Sequence, residues 1–212
     1  MKKAVLLIFF VSMISMGNAQ TIDKTKEPGY HKHKGFFLSM SVGPNFGSIT
    51  DEVVGDYSLK FNGTGAQFDF KIGGAIKENL ILHATLISNT MSGPDITSGG
   101  SSQATSNNLS LGETMFGAGI TYYYMPINIF LSGSLGIGTF SLSDYDTKDS
   151  FSTDGGFSMQ LKVGKDWWIS KKWGLGIAVT YGKTKLTNTP GGGVEEFLNS
   201  NNFGILFNAS LN

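Results

Sequence analysis

"WGLGIAVTYG", residues 173–182, alternates without a break. Trp173, Leu175, Ile177, Val179 and Tyr181 fall on one parity; Gly174, Gly176, Ala178, Thr180 and Gly182 fall on the other. A period of two means a β-strand with two different faces. The bulky face is apolar and the other is small. A soluble barrel needs a charged outer face around a large apolar interior. A face of Gly, Ala and Thr suits the inside of a narrow barrel, which side chains just fill. The bulky face then points outward, into lipid.

Seven other segments repeat the alternation. In 36–46, Phe36, Leu38, Met40, Val42, Pro44 and Phe46 oppose Ser39, Ser41, Gly43 and Asn45. In 66–73, Ala66, Phe68, Phe70 and Ile72 oppose Gln67, Asp69, Lys71 and Gly73. The stretch 80–87 is apolar on both faces apart from His83 and Thr85. Alternation returns in 116–124, 129–138, 157–164 and 203–211. Eight segments whose apolar faces run about 9–11 residues fit tilted strands crossing an outer membrane. No helical period is sustained after the first 16 residues.

The joints alternate in length. "AIKEN", "MPIN" and "ISKK" are short, whereas about 50–62, 90–109, 141–156 and 186–201 are long and polar. This rhythm predicts an all-β fold: an eight-stranded antiparallel up-and-down transmembrane β-barrel with four outward loops and both ends in the periplasm. All three tryptophans flank one short turn. Trp167 and Trp173 share the apolar parity, and with Tyr122 and Tyr124 they are expected to form a membrane-interface girdle. Trp168 has the opposite parity and is expected to close the periplasmic end, while Lys171 and Lys172 reach headgroup phosphates.

Composition agrees. Only 15% of residues are charged, against about 25–35% on a soluble surface. The chain opens with Lys2 and Lys3, an apolar run from Ala4 to Met16, and Gly17-Asn18-Ala19. That reads as a signal peptide over 1–19, too short to span as a helix. A polar periplasmic lead-in over 20–34 and a barrel domain over 35–212 follow. Export without cysteine leaves burial and backbone pairing to stabilise the fold. Without Lys2 and Lys3, 14 lysines face 16 acids, a net charge of −2, and there is no arginine. Nucleic acid is not an expected partner.

The phrases "GITYYYMPINIFLSGSLGIG" and "VGKDWWISKKWGLGIAV" resemble those of small OmpA/OmpX-type outer-membrane β-barrels of Gram-negative bacteria, and the resemblance covers 20–212. It implies an integral protein of the cell outer membrane, most often a monomer. It also implies contact with outer-membrane lipids, with lipopolysaccharide and with the barrel-assembly machinery. Such barrels often end in Phe or Trp; here the aromatic is Phe207 and the ending is "ASLN".

The lumen parity carries Gln67, Asp69, Lys71, His83, Glu113, Lys162 and Asp166. Charges there must be paired and hydrogen-bonded, so the expected interior is a salt-bridged plug with Glu113 nearest the outer end. The expected role is structural or interactive, through the four loops. A narrow solute or ion path is the alternative, and a lipid A-modifying enzyme a more distant one. No catalytic residues are assigned, because His83 lies near the periplasmic side with no visible triad. "GIAVTYGKT" has five residues between its glycines where a phosphate loop has four. No metal or cofactor is assigned. "HKHK" at 31–34 reads as a solvated basic segment, and "DYDTKD" at 144–149 lacks the Gly and distal Glu of a calcium loop. The Ser/Gly-rich 92–108 reads as a mobile loop.

Overall fold

The computed structural model describes residues 32–53, 56–189 and 193–212. The signal-peptide reading, most of the lead-in and His31 lie outside them. Among the described residues there is no helix. Eight long strands form the barrel: β1 (Phe36–Val53), β2 (Tyr57–Lys77), β3 (Leu80–Ser92), β6 (Leu109–Tyr124), β7 (Ile129–Asp144), β9 (Gly156–Trp168), β10 (Trp173–Asn188) and β11 (Glu196–Leu211). All neighbours are antiparallel, and β1 pairs with both β2 and β11, which closes the ring. Three short strands extend it: β4 (Asp95–Ser98), β5 (Ser101–Ala104) and β8 (Asp149–Ser152).

The segments read as long polar loops are largely strand. β1 runs to Val53 and β2 restarts at Tyr57, so 50–62 is mostly a projecting ribbon. β4 and β5 form a hairpin on the projecting part of β2, within the stretch read as a mobile loop. β8 pairs with the far end of β7. Backbone pairing continues there because the ladder satisfies N–H and C=O groups whatever the side chains are, so it outlasts the apolar belt. The short turns behave as read: Asn79 and Asn128 take positive φ (66° and 54°), a conformation asparagine tolerates better than most residues.

Side chains face as the alternation requires. Phe116, Leu135, Ile137, Val179, Ile205 and Phe207 are exposed on the outer wall, while Ser132, Ser134, Gln160 and Thr180 are buried inside. Small residues let the wall close tightly. Gly117 and Gly136 face each other on β6 and β7. A Cβ on either would lie 2.1 Å or 2.2 Å from a backbone oxygen of the partner strand.

Toward the long-loop end the pattern changes phase. Ile49, Met91, Leu111, Phe140, Leu186 and Leu198 occupy lumen positions and form one buried cluster, with Phe61 and Leu142 packed on it. Lys60, Thr90, Lys185 and Thr187 are exposed on the outer face at that level. There the barrel has an apolar inside and a polar outside.

Candidate functional site in the barrel interior

The interior consists of three stacked zones. At the short-turn end, the chain before β1 folds back into the mouth. His33 is fully buried, so the solvated-segment reading of "HKHK" is corrected for this residue. Its ring stacks on Tyr123 with centroids 3.4 Å apart and lies 4.9 Å from Trp168. Its Nε2 donates to Asn128 Oδ1 at 2.8 Å, and its backbone N–H donates to Asn79 Oδ1 at 3.3 Å. The two asparagines that close the turns therefore also hold the lead-in. Phe37, Ile81, Phe130 and Ala178 complete this apolar floor around Tyr123. Burial holds the His33 imidazole below the ordinary histidine value; the Asn128 hydrogen bond and the charge of Asp166 pull the other way.

Above the floor lies a polar zone. Asp69 is flanked by two ammonium groups. Lys71 Nζ is 2.7 Å from its carboxylate and Lys162 Nζ is 3.7 Å away. Lys71 also donates to Gln160 Oε1 at 3.1 Å. Lys162 donates to Ser41 Oγ at 2.6 Å and Asn208 Oδ1 at 3.1 Å. Asp166, nearer the floor, accepts from Asn208 Nδ2 at 2.8 Å, Ser210 Oγ at 2.7 Å and Tyr123 Oη at 3.3 Å. His83 contacts Thr85 and Thr121 hydroxyls at 2.8 Å and 3.0 Å, and Gln67 Oε1 accepts from Thr180 at 2.8 Å.

Glu113 stands higher, one inward position from Leu111 of the apolar cluster. Thr184 Oγ1 donates to its Oε1, and Asn202 Nδ2 to its Oε2. The seven lumen residues singled out from sequence are thus all buried. Geometry joins Asp69, Lys71 and Lys162 directly, and links Asp166 to them through Asn208. His83, Gln67 and Glu113 stand apart, each among hydroxyl or amide partners. Sequence reading missed His33, the Asn79 and Asn128 pair and the apolar cluster. The signal for the cluster was present as the change of phase between Ile137 and Phe140, and between Tyr181 and Leu186.

On the outer wall near the short turns, Tyr122, Tyr124 and Trp173 are exposed and Trp167 is partly so. Lys165 Nζ lies over the Trp167 ring at 5.4 Å. Trp168 points inward against His33. In the third long connection, Asp144 Oδ1 accepts the backbone N–H of Asp146 at 2.8 Å, which uses it as a turn former. Among the described residues no group of three or more His, Cys, Asp or Glu side chains is placed to hold a metal ion.

No protein-family profile matches the chain, and no curated protein matches it in sequence. Solved structures do match in fold. Neisserial surface protein A has a TM-score of 0.53 at 12% identity, over 84% of this chain and 96% of its own. The outer membrane protein OprG from Pseudomonas aeruginosa gives 0.49 at 14% identity, over 84% and 97%. The outer membrane protein AlkL gives 0.49 at 16% identity, over 88% and 93%. The closed eight-stranded barrel of this chain is the fold of Neisserial surface protein A.

Proposed function

We propose that this chain is an integral outer-membrane barrel with a plugged interior, serving as a lipid-embedded scaffold that presents its projecting strands and hairpins outside the cell. The short turns then lie in the periplasm and the apolar wall meets lipid and lipopolysaccharide. The observation that carries the reading is the filling of the lumen at every level. An aromatic floor, an ion-paired middle and an apolar upper cluster follow one another. A void among Gln67, Asn89, Glu113 and Gln160 admits the centre of a water-sized sphere over only about 10 Å³, near the lower limit for one water.

The non-enzymatic reading draws support from His83, whose ring partners are threonine and serine hydroxyls inside the wall. Among the described residues no carboxylate hydrogen-bonds to its ring, as the orienting member of a triad does. Planar-bilayer recording tests the plug. The expected result is no steady conductance, in wild type and in Lys162→Ala alike. A steady conductance that changes on Lys162→Ala would replace the plug with a narrow ion path. Lipid A mass spectra with and without expression test the enzymatic alternative; the expected result is no difference.

A further inference from the structure

We propose that the upper lumen is a binding site for one monovalent alkali cation, held by the Glu113 carboxylate with the side-chain oxygens of Asn45 and Asn89. The argument begins with charge. Among the described residues five ionisable groups with formal charge are buried on the lumen side: Lys71, Lys162, Asp69, Asp166 and Glu113. The lower four balance, two cations against two carboxylates, and Lys162 hydrogen-bonds Asn208, which also donates to Asp166. Glu113 is left over. Among the described residues no lysine lies within ion-pair distance of it, since the three ion pairs there are Lys32–Glu78, Lys71–Asp69 and Lys162–Asp69.

A buried carboxylate without a counter-charge is costly, and neutral donors offset only part of that cost. Glu113 sits directly beneath the apolar cluster, because Leu111 and Met91 are the next inward residues on β6 and β3. Solvent screening there is therefore weak.

The second observation concerns oxygen atoms. Asn45 Oδ1 and Asn89 Oδ1 are buried and accept no hydrogen bond. Asn45 is 0% exposed and Asn89 7%. A native interior seldom leaves such acceptors unused. Both residues line a gap shared with Glu113 and Asn202. Asn89 is the direct cross-strand partner of Glu113 and of Gln67. These three side chains therefore form one row across β6, β3 and β2, and the adjoining void opens beside them. A carboxylate oxygen with neutral amide oxygens is a hard-ligand set. One negative charge matches one monovalent cation, whereas divalent sites usually recruit further carboxylates.

Asp166 does not compete as the site. The oxygen of its amide neighbour Asn208 already accepts from Ser39, Ser41 and Lys162, and Lys162 supplies a cation there, so neither an unused oxygen nor an uncompensated charge is left beside it. The inference uses only the closed barrel, so a conducting lumen would leave it intact.

The test is urea unfolding of the lipid-reconstituted protein in sodium chloride and in N-methyl-D-glucamine chloride of equal ionic strength. The expected result is a higher midpoint in sodium for wild type, and no sodium dependence in Glu113→Gln. Anomalous diffraction from thallium(I)-soaked wild-type crystals gives a readout independent of any variant, with a peak expected between Glu113, Asn45 and Asn89. Asn89→Asp adds a second carboxylate and should shift the stabilising ion from sodium to calcium. Equal wild-type midpoints in both salts without a thallium peak would overturn the proposal. So would a sodium effect that survives in Glu113→Gln, or wild-type stabilisation by calcium alone.

Discussion

Asp69 is the residue on which the middle zone turns, since two lysines share its carboxylate. Removing one member of a buried ion-pair group leaves uncompensated charge, at a cost of about 3–5 kcal/mol. Asp69→Ala should lower unfolding stability in lipid vesicles by that order, as read from urea titration. The Lys32–Glu78 pair offers the contrast. Its side chains are 44% and 47% exposed, and such pairs contribute about 0–1 kcal/mol. Glu78→Ala should leave the urea midpoint nearly unchanged.

His33 supplies a pH dependence. Its value is lowered in the folded protein, chiefly by burial, so the unfolded or undocked state binds the proton more readily. The neutral ring's contribution is therefore fully present above the ordinary histidine value of about 6.5. It is lost as pH falls through the lowered value. The groups facing His33 are Tyr123, Trp168, Asn128, Asn212 and, through charge, Asp166. Amide protection factors at residues 33–35, which allow for the intrinsic slowing of exchange in acid, should fall on acidification in wild type. In His33→Ala they should be low at every pH.

At the scale of the strand, alternation carries most of the information. The parity in 173–182 gave the correct face for every residue because each side chain there lies either on the outer wall or in a narrow lumen. The short turns were legible as the breaks "AIKEN", "MPIN" and "ISKK" between apolar runs, whereas the part that Asn79 and Asn128 play in holding His33 was not. Strand ends were not, because the sequence marks where apolar side chains stop and not where backbone pairing stops. The 21-residue β2 is twice the length that the apolar belt requires. The upper cluster was legible in principle. Leu186 and Leu198 break parity with Tyr181 and Phe203 at a common level around the ring. That phase change falls just beyond Tyr181, Phe203 and Ile137. His33 could not have been found from its neighbourhood in sequence. Its pocket is built from two distant turns and from Tyr123, and tertiary contact alone makes a lysine-flanked histidine buried.

For the whole molecule, the decisive feature is a wall that is bulky and apolar outside and small and polar inside. Val179 lies on the outward face between Val163 and Ile205, in the middle of the apolar wall. An arginine at such a position costs about 2–4 kcal/mol at the bilayer midplane and near zero at the interface. Val179→Arg should lower the unfolding free energy in vesicles accordingly. Thr187→Arg, with the same parity but beyond the phase change, should not.

The most direct measurement of the central claim is a heat-modifiability gel on fractionated membranes, with samples in SDS run unboiled and boiled. The protein is expected to fractionate with the outer membrane and to change mobility on boiling, as a closed, SDS-resistant barrel does. A soluble periplasmic protein with the same mobility in both lanes would contradict it, and the bulky apolar face would then have to be the inside.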